Sequence, residues 1–358
     1  MTSRLQNLRK RWFLLALLVL IPAGMWLGAV VDWQQLAAGL GGAAPLAGRT
    51  VDLLPRISTV IVLFLMAFSL DSRQLVAAFR SPGPVLWASF VNLAMVPLAA
   101  WALVGLQHPP DFQVGLMIAA SVPCTLAAAS VWTRKAGGND AVSLMVTLST
   151  NAACFAVTPF WLKLTTGSAV QFDTADMMLR LVQAVLVPTA LGQVVRQVPA
   201  AARFATRHKT PIGVAAQVLI LVIVFLAACK AGVQLSGFED VPSLAGIGGV
   251  WVSCILLHVA ALLVAAAGAR LLGFTREDRI AVAFAASQKT LPIGVLLATD
   301  PAMFGNPELG VPFAVFPMLM YHASQLFIDT AVADRMAAVG GTAPVSPGNE
   351  PPVPPVEA

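Results

Sequence analysis

The chain has 358 residues, 58% of them hydrophobic and 11% charged, with a mean hydropathy of +0.80 and a net charge of +5. That balance excludes an ordinary soluble domain. The basic residues lack the basic and aromatic patterning that would suggest nucleic acid, so the positive charge reads as topology and attraction to anionic lipid.

Apolar runs long enough to cross ~30 Å of hydrocarbon occur ten times, at about Trp12–Val31, Leu53–Leu70, Pro84–Leu106, Phe112–Thr133, Ala141–Leu164, Met177–Val195, Pro211–Lys230, Leu244–Leu271, Ile280–Thr299 and Val311–Ala331. The fold class expected is an all-α membrane protein of ten transmembrane helices. An even number places both termini on one side. Sixteen lysines and arginines, among them Arg9, Lys10, Arg134, Lys135, Arg203 and Arg207, then fall on the side of the termini. Five, Arg49, Arg56, Lys163, Arg180 and Lys230, fall opposite, and Lys289 lies between. The bias makes both termini cytoplasmic in a multi-pass protein of the cell membrane. The first run follows a basic stretch as a signal peptide does, but its spanning length is that of a retained helix.

Taken in order, Asp32 to Thr50 reads as a loop or interfacial helix. Ser69 and Asp71 are candidate caps for a short helix after the second run, and Ser81-Pro82-Gly83-Pro84 breaks the chain before the third. Asn92 sits five residues before Pro97 in the third run. The fourth is interrupted by Ser121-Val122-Pro123-Cys124-Thr125, with Ser130 beyond it, and turns through Arg134 to Asp140 into the fifth. There Ser143, Thr147 and Thr150 share a helical stripe with Asn151 beside it. The ninth is interrupted by Ser287-Gln288-Lys289-Thr290-Leu291-Pro292. Lys289 lies ~13–15 Å from either end of that run, too deep to snorkel, so its ammonium faces protein or a water-filled cavity. Pro292 frees the carbonyl of Gln288.

Pro123 and Pro292 stand 169 residues apart, and Asn151 and His322 stand 171 apart. Five runs per half is odd, so the halves lie inverted: residues 1–165 form one five-helix repeat and 175–335 the second. The fourth and ninth helices are broken, as at a transporter site at the membrane midplane. Residues 340–358, rich in proline and glycine, read as a disordered cytoplasmic tail. The cysteines Cys124, Cys154, Cys229 and Cys254 lie inside apolar runs without metal spacing and read as packed thiols.

With these bounds no aspartate or glutamate falls in the middle of a run, which argues against a carboxylate proton relay or an aspartyl protease. Nucleophile-elbow and phosphate-loop signatures are also missing, so no enzyme is expected. The polar groups at midplane depth are Asn92, Thr125, Ser130, Ser143, Thr147, Asn151, His258, Ser287, Gln288, Lys289, Thr290, Tyr321 and His322. Neutral oxygens suit a weakly held monovalent cation, a lysine and helix N-termini suit an anion, and the histidines suit a proton.

Pro123, the Gly138-Asn139-Asp140 turn with Ser143 and Thr147 after it, Ser287-Gln288-Lys289-Thr290, and Tyr321-His322 with Gln325 together resemble the bile acid:sodium symporter family, and more closely its SBF-like branch. The likeness covers about Leu53 to Ile328. It implies a panel domain moving against a core in which the fourth and ninth helices cross, with sodium ions behind the crossing. Ser143, Thr147 and Gln288 match sodium ligands. Asn92 falls where the family has glutamine, Ser130 where it has asparagine, Phe284 where it has a ninth-helix glutamate and Lys289 where it has asparagine. An ammonium ~6 Å from a sodium ion would repel it by ~3 kcal/mol at an effective dielectric near 20.

The expected function is alternating-access transport of a small organic or amphipathic anion. The expected site is Asn92, Thr125, Ser130, Ser143, Thr147, Gln288, Lys289, Thr290 and His322. Lys289 would either supply its positive field or tie down the broken ends of the crossing helices, and a sodium ion is the inorganic partner the resemblance implies. A non-transporting regulatory protein with the same fold is the alternative. Lipid and a small anionic substrate are the partners implied.

Overall fold

The computed structural model describes residues 12–31, 44–70, 82–125, 128–166, 173–237, 242–299 and 313–339. All regular structure there is helical. The helices are α1 Trp12–Val30, α2 Ala44–Ser69, α3 Pro82–Val104, α4 Pro110–Ser121, α5 Ala128–Lys135, α6 Asp140–Thr166 and α7 Thr174–Arg196. They continue as α8 Pro199–Arg207, α9 Lys209–Gly237, α10 Leu244–Leu271, α11 Arg276–Ser287, α12 Leu291–Thr299 and α13 Val315–Val339. α2 starts at Ala44, inside the stretch expected to be a loop or an interfacial helix. The proposed short helix after Ser69 and the tail 340–358 lie outside the described residues.

Local sequence sets the boundaries. Asp173 accepts from the N–H groups of Ala175 and Asp176 at the start of α7. Ser243 caps α10 through Gly246 N, and Thr275 caps α11 through Asp278 N. α5 ends in a left-handed turn at Gly137, φ 74°, with Gly138 N donating to Thr133 O at 2.8 Å. Only glycine adopts that backbone without steric cost. Asn139 then caps α6, accepting from Ala141 N and Val142 N.

Two helices widen into a π-turn, α3 at Val91–Met95 and α7 at Val182–Leu186. Each turn is Val, an amide residue, three more residues, then Val-Pro: Val91-Asn92 to Val96-Pro97, and Val182-Gln183 to Val187-Pro188. The proline has no N–H to give the carbonyls behind it, so the ladder shifts register rather than leaving a clash.

The helices pack as two groups. In one, α1 and α2 each lie along α9, and α7 packs on α2. α1 and α9 approach closely because Gly28 and Gly232 face backbone: a Cβ on Gly28 would sit 2.0 Å from Cys229 O, and one on Gly232 would sit 2.1 Å from Met25 O. In the other group, α10 and α6 flank α11, while α3, the α4–α5 arm and α13 complete the bundle. α12 joins the groups, packing on α13 as well as on α2 and α9.

Among the described residues six segments are long and apolar enough to cross a membrane. The most apolar stretch of Arg276–Thr299, the α11–α12 arm, is wholly buried, against 22–50% for the others, so this arm is the centre of the molecule. Large apolar side chains such as Leu86, Phe90, Phe160, Leu256 and Leu263 point outward, a surface suited to lipid.

Candidate functional site

The two breaks meet. α4 ends at Ser121, and Val122 turns extended (φ −63°, ψ 152°) before Pro123, as the residue before a proline does. α11 ends at Ser287, and Gln288 turns extended (φ −80°, ψ 144°). Thr290 N then donates to Pro123 O at 2.9 Å, tying one interrupted helix to the other by main chain.

Broken helices strand carbonyls, and a buried unpaired carbonyl is costly, so each acceptor at the breaks needs a donor. On the α4 side α6 supplies most of them. Thr158 Oγ1 donates to Ser121 O at 2.9 Å, Asn151 Nδ2 to Cys124 O at 2.8 Å and Thr147 Oγ1 to Thr125 O at 3.3 Å, while Thr150 Oγ1 accepts from Cys124 N. On the α11 side, Asn92 Nδ2 lies 3.0–3.4 Å from Ala285 O, Ala286 O and Gln288 O. Tyr321 OH donates to Ser287 O at 2.9 Å, and the amide of Gln325 brackets Lys289, accepting from its N and donating to its O, both at 2.9 Å.

Lys289 closes the arrangement. Its Nζ donates to Asn92 O at 2.6 Å, Val122 O at 3.0 Å and Asn92 Oδ1 at 3.2 Å, and the residue has no exposed surface. In the π-turn register, Asn92 O is the acceptor that Pro97 cannot serve; Leu93 O, the acceptor in ordinary register, receives Trp161 Nε1 at 2.8 Å. The lysine was expected to offer its charge to an anion. With every ammonium hydrogen within reach of a protein oxygen, it joins α3, α4 and the α11–α12 break.

The structure also brings a carboxylate to the crossing, where none was expected. Asp329 is wholly buried; its Oδ2 accepts from Gln288 Nε2 at 2.7 Å and its Oδ1 lies 3.0 Å from His258 Nε2. His258 Nδ1 lies 3.2 Å from Ser287 O. The tenth run was bounded at Ala331, which left Asp329 near its end; α13 runs on to Val339, so Asp329 is interior. The signal was readable as spacing, for Tyr321, Gln325 and Asp329 recur every four residues and share one helix face.

Of the other expected site residues, Asn92, Thr125, Thr147, Gln288 and Thr290 come together at the crossing, Thr125 and Thr290 through their main chain. His322 joins through Gln325, whose amide donates to its Nδ1 at 2.8 Å. Ser143 is buried one turn before Thr147, and its hydroxyl has no partner; the carbonyl oxygen of the Gln288 side chain has none either. Ser130 is not brought to the crossing. Its hydroxyl bonds Asp140, which pairs with Arg134 at 2.8 Å, because α5 directs it to the hairpin. That hairpin docks on the start of α11, with Asn139 Nδ2 2.8 Å from Asp278 Oδ1. Thr158 and Asp329 were missed as site residues. All four cysteines are buried free thiols.

Comparison with known sequences places the chain in a family. The sequence model of the SBF-like CPA transporter family matches residues 12–338. The chain belongs to that family. It is similar to an uncharacterized protein of Pseudomonas aeruginosa, 27% identical over 300 residues, or 82% of this chain and 88% of that one. It is also similar to the probable chloroplastic sodium/metabolite cotransporter BASS4 of Arabidopsis thaliana, 26% identical over 310 residues (83% and 69%). The sodium/bile acid cotransporter 7 of Mus musculus is 24% identical over 336 residues (92% and 93%). As a member of a transporter family with several apolar helices, the protein is a multi-pass membrane protein in a lipid environment, acting on a small molecule rather than as an enzyme.

Proposed function

We propose that this transporter moves a small organic or amphipathic anion by alternating access, the group of α1, α2, α7 and α9 moving against the group that holds the crossing. The observation that carries the reading is the main-chain contact of the two broken helices, Thr290 N on Pro123 O. Interrupted helices that meet in the bilayer put half-helix ends, with their partial charges, at a central site. α5 and α12 both begin there, and their positive ends favour an anion. Ser143 Oγ and the side-chain oxygen of Gln288 are unpartnered oxygens offered to polar groups of the cargo; with Thr147 they are the set the family resemblance reads as sodium ligands. The relatives' names, with bile acid and metabolite as cargo, fit this class.

On this reading the chain crosses ten times, through α1, α2, α3, the α4–α5 arm and α6, then α7, α9, α10, the α11–α12 arm and α13. These are two inverted five-helix repeats, 1–165 and 175–335, with both termini cytoplasmic. Uptake into proteoliposomes tests the function. A labelled conjugated bile acid and a panel of carboxylates are offered, with and without a sodium gradient. Saturable uptake of one of them above protein-free liposomes is expected, whereas no uptake or exchange of any would leave a non-transporting protein.

A further inference from the structure

Half-helix ends and unwound carbonyls at a midplane crossing form the kind of cage that coordinates a small cation. In this protein the cage is already filled. The Nζ of Lys289 sits among Asn92 O, Asn92 Oδ1 and Val122 O, oxygens from two helices other than its own, at 2.6–3.2 Å. Val122 O is the carbonyl just past the C-terminal end of α4, where the negative end of the helix dipole lies. A second carbonyl cage, Ala285 O, Ala286 O and Gln288 O, holds the amide nitrogen of Asn92. Ser121 O, Pro123 O, Cys124 O and Thr125 O likewise receive donors from the chain itself. The nearby Asp329 carboxylate is occupied as well, by Gln288 and His258.

We propose that the ammonium of Lys289 is a built-in cation: it takes the place of an exchangeable monovalent ion at the crossing and holds the α4 and α11 ends together without an ion from solution. Combined with the transport reading above, on which this consequence rests, the anion moves without sodium binding at the crossing. A charge on a side chain cannot leave with the cargo, so it contributes structure to the site and no ion flux.

Removing the tether tests this. Lys289→Ala leaves the three oxygens around a space the size of the lost side chain. In detergent at fixed ionic strength, the variant is expected to unfold at a lower temperature than the parent in choline chloride. In ammonium, methylammonium or sodium chloride it should recover, while the parent is indifferent to the choice of salt. Lys289→Met, which fills the space without charge, should stay low in every salt. The proposal is overturned if Lys289→Ala matches the parent in choline or ignores all small cations. It is also overturned if the parent is itself stabilised by sodium over choline.

Should Lys289→Ala not accumulate, reductive methylation of the parent with mass spectrometry gives the reading without a variant. Lys289 is expected to stay unmodified in sodium and in choline alike, and its methylation in either would show that the ammonium leaves the cage. In proteoliposomes, anion uptake unchanged by replacing sodium with choline supports the built-in cation, and strictly sodium-dependent uptake overturns it. No uptake in either salt, with the stability results as expected, counts against the transport reading and leaves the built-in cation standing.

Discussion

Asp329 shows how much depends on single buried side chains. It is the shared acceptor of His258 and Gln288, so truncating it strands two buried donors, one on α10 and one at the break after α11. Each buried donor left without its acceptor costs about 1–3 kcal/mol, and Asp329→Ala is expected to lose stability on that scale. Asp329→Asn keeps an acceptor oxygen and should lose less. Thermal unfolding of the purified variants checks the order, and an alanine variant as stable as the parent would refute it. Trp161→Phe acts at the π-turn. It leaves Leu93 O without its side-chain donor, and an orphaned buried carbonyl costs about 1–3 kcal/mol. The same unfolding measurement reads the loss, and an unchanged midpoint would mean that Leu93 O finds another donor.

Between elements, the contact of α1 with α9 rests on close backbone approach rather than on side-chain interdigitation. Lipid is as apolar as leucine, so helices in a bilayer gain by small residues that let backbones touch. Gly28→Leu puts a branched chain where a Cβ alone would already sit 2.0 Å from Cys229 O. The pair must separate, and the variant should lose monodisperse elution in size-exclusion chromatography, while Gly213→Leu, on an open face of α9, should elute as the parent does. Equal behaviour of the two would show that the close approach is dispensable.

For the molecule as a whole, the charge bias makes a topological prediction. The native cysteines are buried, so single cysteines introduced at the exposed Arg134 and the half-buried Arg180 can be read above them. Arg134→Cys is expected to react with a membrane-impermeant maleimide only after permeabilisation, and Arg180→Cys in intact cells. Both reacting from one side would break the ten-pass arrangement, since one helix, α6, separates them and carries the chain across once.

The sequence by itself determined the membrane class, the position of both breaks and most residues that meet there. Hydropathy and proline act locally: a run of apolar residues must leave water, and a proline must lack its donor wherever it lies. The family resemblance pointed to the same elements, and Asn92, Thr147 and Gln288, which it singled out, lie at the breaks. Tertiary structure alone decided what the polar groups do. Lys289 was visible as a deep charge, but its three oxygens come from residues 92 and 122, far away in the chain, and no local rule pairs them. Ser130 looked equivalent to Ser143 by depth, yet the rotation of α5 hands it to Asp140. Asp329 was set aside because a span was bounded by hydropathy, whereas a helix ends where its hydrogen bonds and packing end. Depth in the bilayer can be read from composition; the partner of a buried donor is fixed only when the helices have packed, because satisfying each stranded carbonyl is a condition on the whole fold.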